Sequence, residues 1–244
     1  MITPGAGDIS FSGSNVDPYW WTVVLAMHFD GTNGSTSFID LKGNSFTVQG
    51  TSQISTAQSK FGGASGYFSS GGITTANRLV GPVSSNWVPP SAFTIECWLY
   101  MTSYPSNSGR ILSSCVSEAT WNSTGVEYLF EQTASGVKFS WWNGVTNGFN
   151  YVGAGVGLNA WYHIAIVLSG GTTIIYKNGV SQNTNSAAYS IPTGTPTLEI
   201  GGIYGESNSS TVGLVGYIDD LRITNGIARY TSNFTPSTWP FPNS

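Results

Sequence analysis

The side chains that could do chemistry in this 244-residue chain are 12 carboxylates, two histidines and nine tryptophans. Glycoside hydrolysis requires two carboxyl groups flanking one cleft, about 5 to 9.5 Å apart. Glu127 and Glu131 share a face of the extended run 126–132, but residues four apart on a strand lie about 13 Å apart along it. That is too far for a pair. A nucleophilic triad would have to recruit His28 or His163, and no Gly-x-Ser-x-Gly elbow accompanies them. Both fall in extended runs, where a packed, hydrogen-bonded ring is the expectation. Gly153-Ala-Gly-Val-Gly157 precedes no helix, so it reads as a loop and not as a phosphate cradle. Aromatic chemistry is better supplied. Trp87, Trp121, Trp141, Trp142 and Tyr151 sit near turns rich in Asn and Ser. Exposed, they would form a glycan-binding face; buried, each would be an ordinary core ring. The expectation is a binding protein with no catalytic residue.

Such groups must be carried by β-structure. From residue 23 onward, short runs rich in β-branched and aromatic residues alternate with turn residues, the pattern of a sandwich or barrel. Residues 23–29 read as a buried strand. Residues 93–100 place Phe93, Ile95, Cys97 and Leu99 on a core face, and Thr94, Glu96, Trp98 and Tyr100 on an aromatic-polar surface. Residues 161–168 are apolar on both faces, which predicts a central strand covered on both sides. Ser169-Gly170-Gly171 and Lys177-Asn178-Gly179 read as tight turns, the second a hairpin signal because Asn and Gly accept positive φ. Residues 198–202 and 216–224 read as late strands, and residues 225–230 as one helical turn at most. A hairpin centred near Ser106 would set Cys97 opposite Cys115, so a cross-strand disulfide is conceivable. Two small buried thiols are the alternative.

Residues 1–22 differ from the rest. Gly, Ser and Pro punctuate them, and they end in Tyr19-Trp20-Trp21. They read as an arm that folds onto its own domain, residues 23–244, or onto a neighbouring subunit, because exposed aromatics are costly unless covered.

Charged residues make up 8% of the chain, against about 25% in ordinary soluble domains. The eight bases are scattered, and binding a phosphate backbone needs clustered cations, so nucleic acid is not an expected partner. No basic segment followed by an apolar stretch opens the sequence, so no signal peptide is evident. The apolar run 23–27 is too short to span a bilayer, and no membrane insertion is expected.

Several segments together resemble the LamG-like, concanavalin A-like lectin/glucanase family. They are Leu25-Ala-Met-His-Phe-Asp-Gly31, Asp40-Leu-Lys-Gly-Asn44, and Lys60-Phe-Gly-Gly-Ala-Ser-Gly-Tyr-Phe68. Phe93-Thr-Ile-Glu-Cys-Trp-Leu-Tyr100 resembles the family's central strand. Trp161-Tyr-His-Ile-Ala165 with Tyr176-Lys-Asn-Gly179 resembles a later hairpin. Gly216-Tyr-Ile-Asp-Asp-Leu-Arg-Ile223 and Ala228-Arg-Tyr-Thr-Ser-Asn-Phe-Thr-Pro236 resemble its closing strand and tail, in a form similar to tailed-phage virion proteins.

The resemblance implies an all-β, two-sheet antiparallel jelly-roll sandwich. It further implies a virion structural or adhesion protein with host glycan and other virion proteins as partners, assembling through the N-terminal arm. A free-standing extracellular carbohydrate-binding module is the alternative, and a glycoside hydrolase is disfavoured because the glucanases' Glu-x-Asp-x-(x)-Glu run is missing. Relatives often place acidic or amide residues, some of them calcium ligands, at positions matching Asp30, Asp40, Asn44 and Asp219. Asp219 is expected to face the core with Tyr217, Leu221 and Ile223, accepting backbone N–H groups or pairing with Arg222 or Arg229.

Overall fold

Alternating β-branched and aromatic residues, broken by glycine turns, fold into strands throughout the computed structural model. It describes residues 16–69, 77–105, 108–115, 126–133, 136–142, 147–151, 155–185, 194–203 and 213–244. One sheet contains β1 (Val23–Met27), β4 (Gln53–Ser55), β5 (Ser65–Ser69), β7 (Phe93–Met101), β12 (Trp161–Ser169), β13 (Thr172–Lys177), β14 (Val180–Asn185) and β16 (Val215–Asn225). Its order is β14-β13-β12-β7-β16-β5-β4, with β1 also paired to β16. The other contains β2 (Phe38–Ile39), β3 (Ser45–Gln49), β6 (Arg78–Val83), β8 (Ser108–Cys115), β9 (Val126–Thr133), β10 (Gly136–Trp142), β11 (Asn147–Tyr151) and β15 (Thr197–Ile200). Its order is β11-β10-β9-β8-β15-β6-β3-β2. The pairings between the strands are antiparallel, and the architecture is the expected jelly-roll sandwich.

The core lies between the sheets. Ile95, Cys97, Leu99, Ile164 and Ile166 meet Leu112, Tyr128, Phe130 and Phe139 from the other side, and Phe93 touches Phe139 at 5.7 Å between ring centroids. Asn178 and Gly179 take φ of 50° and 76°, as the Asn-Gly turn requires. β12 is central and covered on both sides: Ile164, Ile166 and Leu168 face the sandwich core, while Ala165 and Val167 form a second apolar layer with Tyr176.

That second layer exists because the chain beyond β16 folds back as a strap. Ala228, Tyr230 and Phe234 pack against it, Phe234 N–H donates to the Gly179 carbonyl at 2.9 Å, and Asn233 accepts from Ser181 N–H at 2.9 Å. Here the face expected to be an aromatic-polar surface is corrected. Thr94, Glu96 and Trp98 are buried, and only Tyr100 of that set is half-exposed. The hairpin expected around Ser106 is also corrected, since β7 and β8 belong to different sheets. Cys97 and Cys115 are buried free thiols.

A bulge in β16 reverses the expected orientation of Asp219. Asp219 pairs with Trp98 and Arg222 with Glu96, so β16 carries one residue more than β7 over this stretch. Asp220 has φ of 52°, the backbone signature of such an insertion. Ile218, Leu221 and Ile223 therefore keep the core side. Asp219 and Arg222 are delivered to the outer face.

Candidate functional site

Glu96 of β7 is the centre of the outer-face polar network. Arg222 donates to its Oε1 from Nε at 3.0 Å and Nη2 at 2.7 Å. Tyr230 of the strap donates to Oε2 at 2.7 Å, and His163 Nε2 lies 3.2 Å from the same oxygen. Asp17, just before β1, joins the strap to the sheet: it accepts from Arg222 at 3.0 Å and from Arg229 at 2.6 Å and 3.0 Å. Burial opposes the charge on Glu96, but Arg222, His163 and Arg229 outweigh it and hold the carboxyl well below the usual range. A carboxylate so saturated with donors is neither general acid nor nucleophile. It is a clamp.

Around the bulge sits a second polar group. Asp219 Oδ2 accepts from the backbone N–H of Lys60 at 2.7 Å and Phe61 at 3.1 Å, the first of the two partnerships expected of it, and not the pairing with Arg222 or Arg229. Burial pushes its carboxyl up to about 7 despite those bonds, with the charges of Asp220 and Asp30 adding to the rise. Asp220 meets His28 Nδ1 at 2.5 Å and accepts from Phe241 N–H at 2.8 Å. His28 Nε2 lies 2.7 Å from Asn243 Oδ1. Burial disfavours the imidazolium, yet Asp220, then Asn243 and Asp30, raise His28 to about 9. His28 lines a pocket of about 330 Å³ together with Met27, Phe29, Asp30, Phe38 and Ile39.

The four expected calcium ligands do not form one site. Asp40 is a turn cap: Oδ1 accepts from the N–H groups of Lys42 and Asn44, and Oδ2 from Ala26 N–H and the Asn44 amide. Asp40 and Asn44 therefore come together, but for each other. Asp219 is engaged by residues 60 and 61, and Asp30 lies against Gly62, where a Cβ would strike its carboxylate. Calcium takes six to eight oxygen ligands, and N–H donors already claim both oxygens of Asp40 and Oδ2 of Asp219. Among the described residues no three His, Cys, Asp or Glu side chains converge as a metal centre. The residues do not fit the ion.

Two of the expected glycan-stacking rings are core residues. Trp87 is 1% exposed and donates from Nε1 to the Pro82 carbonyl; Trp141 is 2% exposed and packs on Phe139. Neither has a face left for a sugar. Trp141 lies where the strand period of β10 turns it inward, and Trp87 closes a short 3-10 turn (Ser85–Trp87) that buries it; their Asn/Ser-rich surroundings concealed both. Trp121 lies outside the described residues, as do the side chains of Glu127, Trp142 and Tyr151. The backbone brings Trp142 and Tyr151 to neighbouring strands at one edge of the second sheet, with Trp142 opposite Asn147 and Tyr151 opposite Lys138. The same cross-strand row runs Arg110, Glu131, Lys138, Tyr151. Glu131 is flanked by Arg110 and by Lys138 at 3.0 Å, and Glu199 is paired to Arg78 at 3.1 Å. Of the carboxylates with described side chains, only Asp30 is exposed.

The sequence matches the family model described as the concanavalin A-like lectin/glucanases superfamily over residues 69–229. No protein of curated function matches it. Among solved structures, one similar fold is domain 4 of AbnA, a GH43 extracellular arabinanase from Geobacillus stearothermophilus, in complex with arabinotriose. It is 14% identical with a TM-score of 0.57, over 84% of this chain and 93% of that one. The binding domain of botulinum neurotoxin DC is similar too, in complex with SialylT (14% identity, TM-score 0.59) and with rat synaptotagmin II (13% identity, TM-score 0.59). In both cases 85% of this chain is covered, and this chain spans about half, 49%, of the toxin domain. At these identities the likeness is one of fold. The family match covers more than half of the chain, and the chain belongs to the concanavalin A-like lectin/glucanases superfamily.

Proposed function

We propose that this protein is a non-enzymatic, glycan-binding component of a tailed-phage particle, acting in the virion as a decoration, fibre or tail adhesin. The observation that carries the binding half is the state of the carboxylates. Glu96, Asp17, Glu131 and Glu199 are ion-paired, and Asp40, Asp219 and Asp220 accept N–H groups. A lectin/glucanase fold whose described acids, Asp30 apart, are committed in this way favours recognition over hydrolysis. The arabinanase domain held with arabinotriose is matched along 93% of its length, so a module of this size suffices for sugar binding in that protein. The β10–β11 edge, with Trp142 and Tyr151, is the first candidate face.

The virion assignment rests on the closing segment, residues 216–236, and on the low charge. Assembly through residues 1–22 is supported by their boundary: Asp17 is pinned to the domain, while Trp21 is 78% exposed. Purified protein should bind glycans on an array and release no reducing sugar from any of them. Binding should fall in Trp142→Ala or Tyr151→Ala. Sugar release abolished by Glu127→Gln or Glu131→Gln would reverse the non-enzyme assignment. Mass spectrometry of purified particles should find the chain in stoichiometric amounts, and its absence there would leave only a free-standing module.

A further inference from the structure

A second aromatic feature lies on the outer face of the first sheet, away from the β10–β11 edge. Tyr67 of β5, Tyr217 of β16, Tyr100 of β7 and Trp161 of β12 are directly paired in register across four adjacent strands. Successive ring centroids are 5.0, 5.8 and 5.4 Å apart. Gln53 of β4 continues the row at its edge, opposite Tyr67. Gly216 makes the close approach possible, because a Cβ there would collide with the Tyr100 carbonyl.

Cross-strand aromatic pairs stabilise sheets by about 0.2 to 1 kcal/mol each, so two neighbouring rings would need no further reason. Four in line, with Tyr67, Tyr100 and Trp161 half-exposed, differ from the rest of this face. The strap touches this face beyond the row, at Glu96, His163, Tyr176 and Arg222. The row itself is neutral: four aromatic rings and an amide. Beside it lie hydroxyls, with Thr51 and Ser69 bonded to each other at 3.2 Å.

We propose that this row is a binding strip for a neutral, extended glycan chain. Strands advance by about 4.8 Å, so the four rings span roughly 15 Å, enough for several successive sugars. The half-exposed rings of Tyr67, Tyr100 and Trp161 take the sugars' C–H faces, with Tyr217 buried between them as support, while Gln53, Ser69 and Thr51 offer hydrogen bonds at the rim. The lack of charge in the row selects against sulfated or polyanionic chains. The strip deepens the glycan-binding reading and rests on it, but it names a different face.

The test uses the whole chain with neutral β-linked hexasaccharides (cellohexaose, chitohexaose and xylohexaose) by calorimetry and hydroxyl-radical footprinting. Binding that protects Tyr67, Tyr100 and Trp161 is expected, with affinity about tenfold weaker in Tyr67→Ala and Trp161→Ala. Trp161→Phe should retain most of it. Footprinting on the unmodified protein decides the matter even if an alanine variant misfolds. Protection confined to Trp142 and Tyr151 would overturn the strip and leave the proposed function standing. No binding to these sugars or to any array glycan would overturn both. Protection of the row by a proline-rich peptide, with no sugar effective, would likewise overturn the strip.

Discussion

Glu96 and Asp219 face outward from adjacent strands of one sheet, yet their carboxyls are driven in opposite directions. Burial acts the same way on both. The difference is that Glu96 has Arg222 at 2.7 Å, whereas Asp219 has only two backbone N–H donors. Glu96→Gln keeps the shape but leaves Arg222 and Arg229 short of an anion inside the protein. It should cost about 3 to 5 kcal/mol in urea denaturation. Asp219→Asn should do the reverse at neutral pH. A group whose folded pKa is raised to about 7 loses stability as pH rises from its ordinary range near 4 through 7. The Asn variant lacks that loss, so its stability relative to wild type should increase between pH 5 and pH 8. An unchanged difference would mean that Asp219 stays ionised throughout. Only part of this was legible in the sequence. The backbone partners of Asp219 were anticipated; its outward direction was not, because a strict two-residue period cannot reveal an inserted residue at Asp220.

At the scale of elements, strands and hairpins were readable because each carries a local pattern. The apolar run of β12 on both faces foretold two covering layers, and Asn178-Gly179 foretold its turn. The strap was not readable as a cover. Residues 226–244 have no period, and their worth lies in long-range contacts: Tyr230 stacked on Phe234 at 3.5 Å, Phe234 against Tyr176, and Phe241 beneath Arg222. For the same reason Trp98 read as a surface ring when it is buried against Phe61 and Lys60. Removing residues 228–244 would expose Ala165, Val167 and Tyr176 and strip Glu96 of its tyrosine donor. The melting temperature should fall by about 10 °C or more, since 1 kcal/mol corresponds to about 2 to 4 °C in a domain of this size. A fall of only a degree or two would show that the outer layer is ornamental to the sandwich.

Across the whole molecule, two of the strap's anchors respond to pH in opposite directions. Near its start, Arg229 is held by Asp17; burial raises the Asp17 carboxyl, but Arg229 and Arg222 outweigh it and set it below the ordinary value. Glu96 is depressed by the same arginine pair and His163. The stability these acids contribute is present above the usual carboxylate range and is lost only as pH falls through their depressed values. Near its end, Asn243 and Phe241 are tied to His28 and Asp220. His28, raised to about 9, contributes stability that is complete below its ordinary value near 6.5 and disappears as pH climbs through 9. Alkaline titration should therefore loosen residues 241–243 first, with the Arg229 clamp intact. Hydrogen exchange at Phe241 N–H should accelerate between pH 7 and pH 10 by more than the intrinsic rate, while Phe234 N–H, bonded to Gly179, stays protected. Asp220→Asn tolerates the positive φ of this position but removes the anion. It should return His28 toward its ordinary value, measurable by NMR titration, and shift the loosening to lower pH. Equal acceleration at both amides would mean that the strap opens as one unit and that His28 does not hold its end.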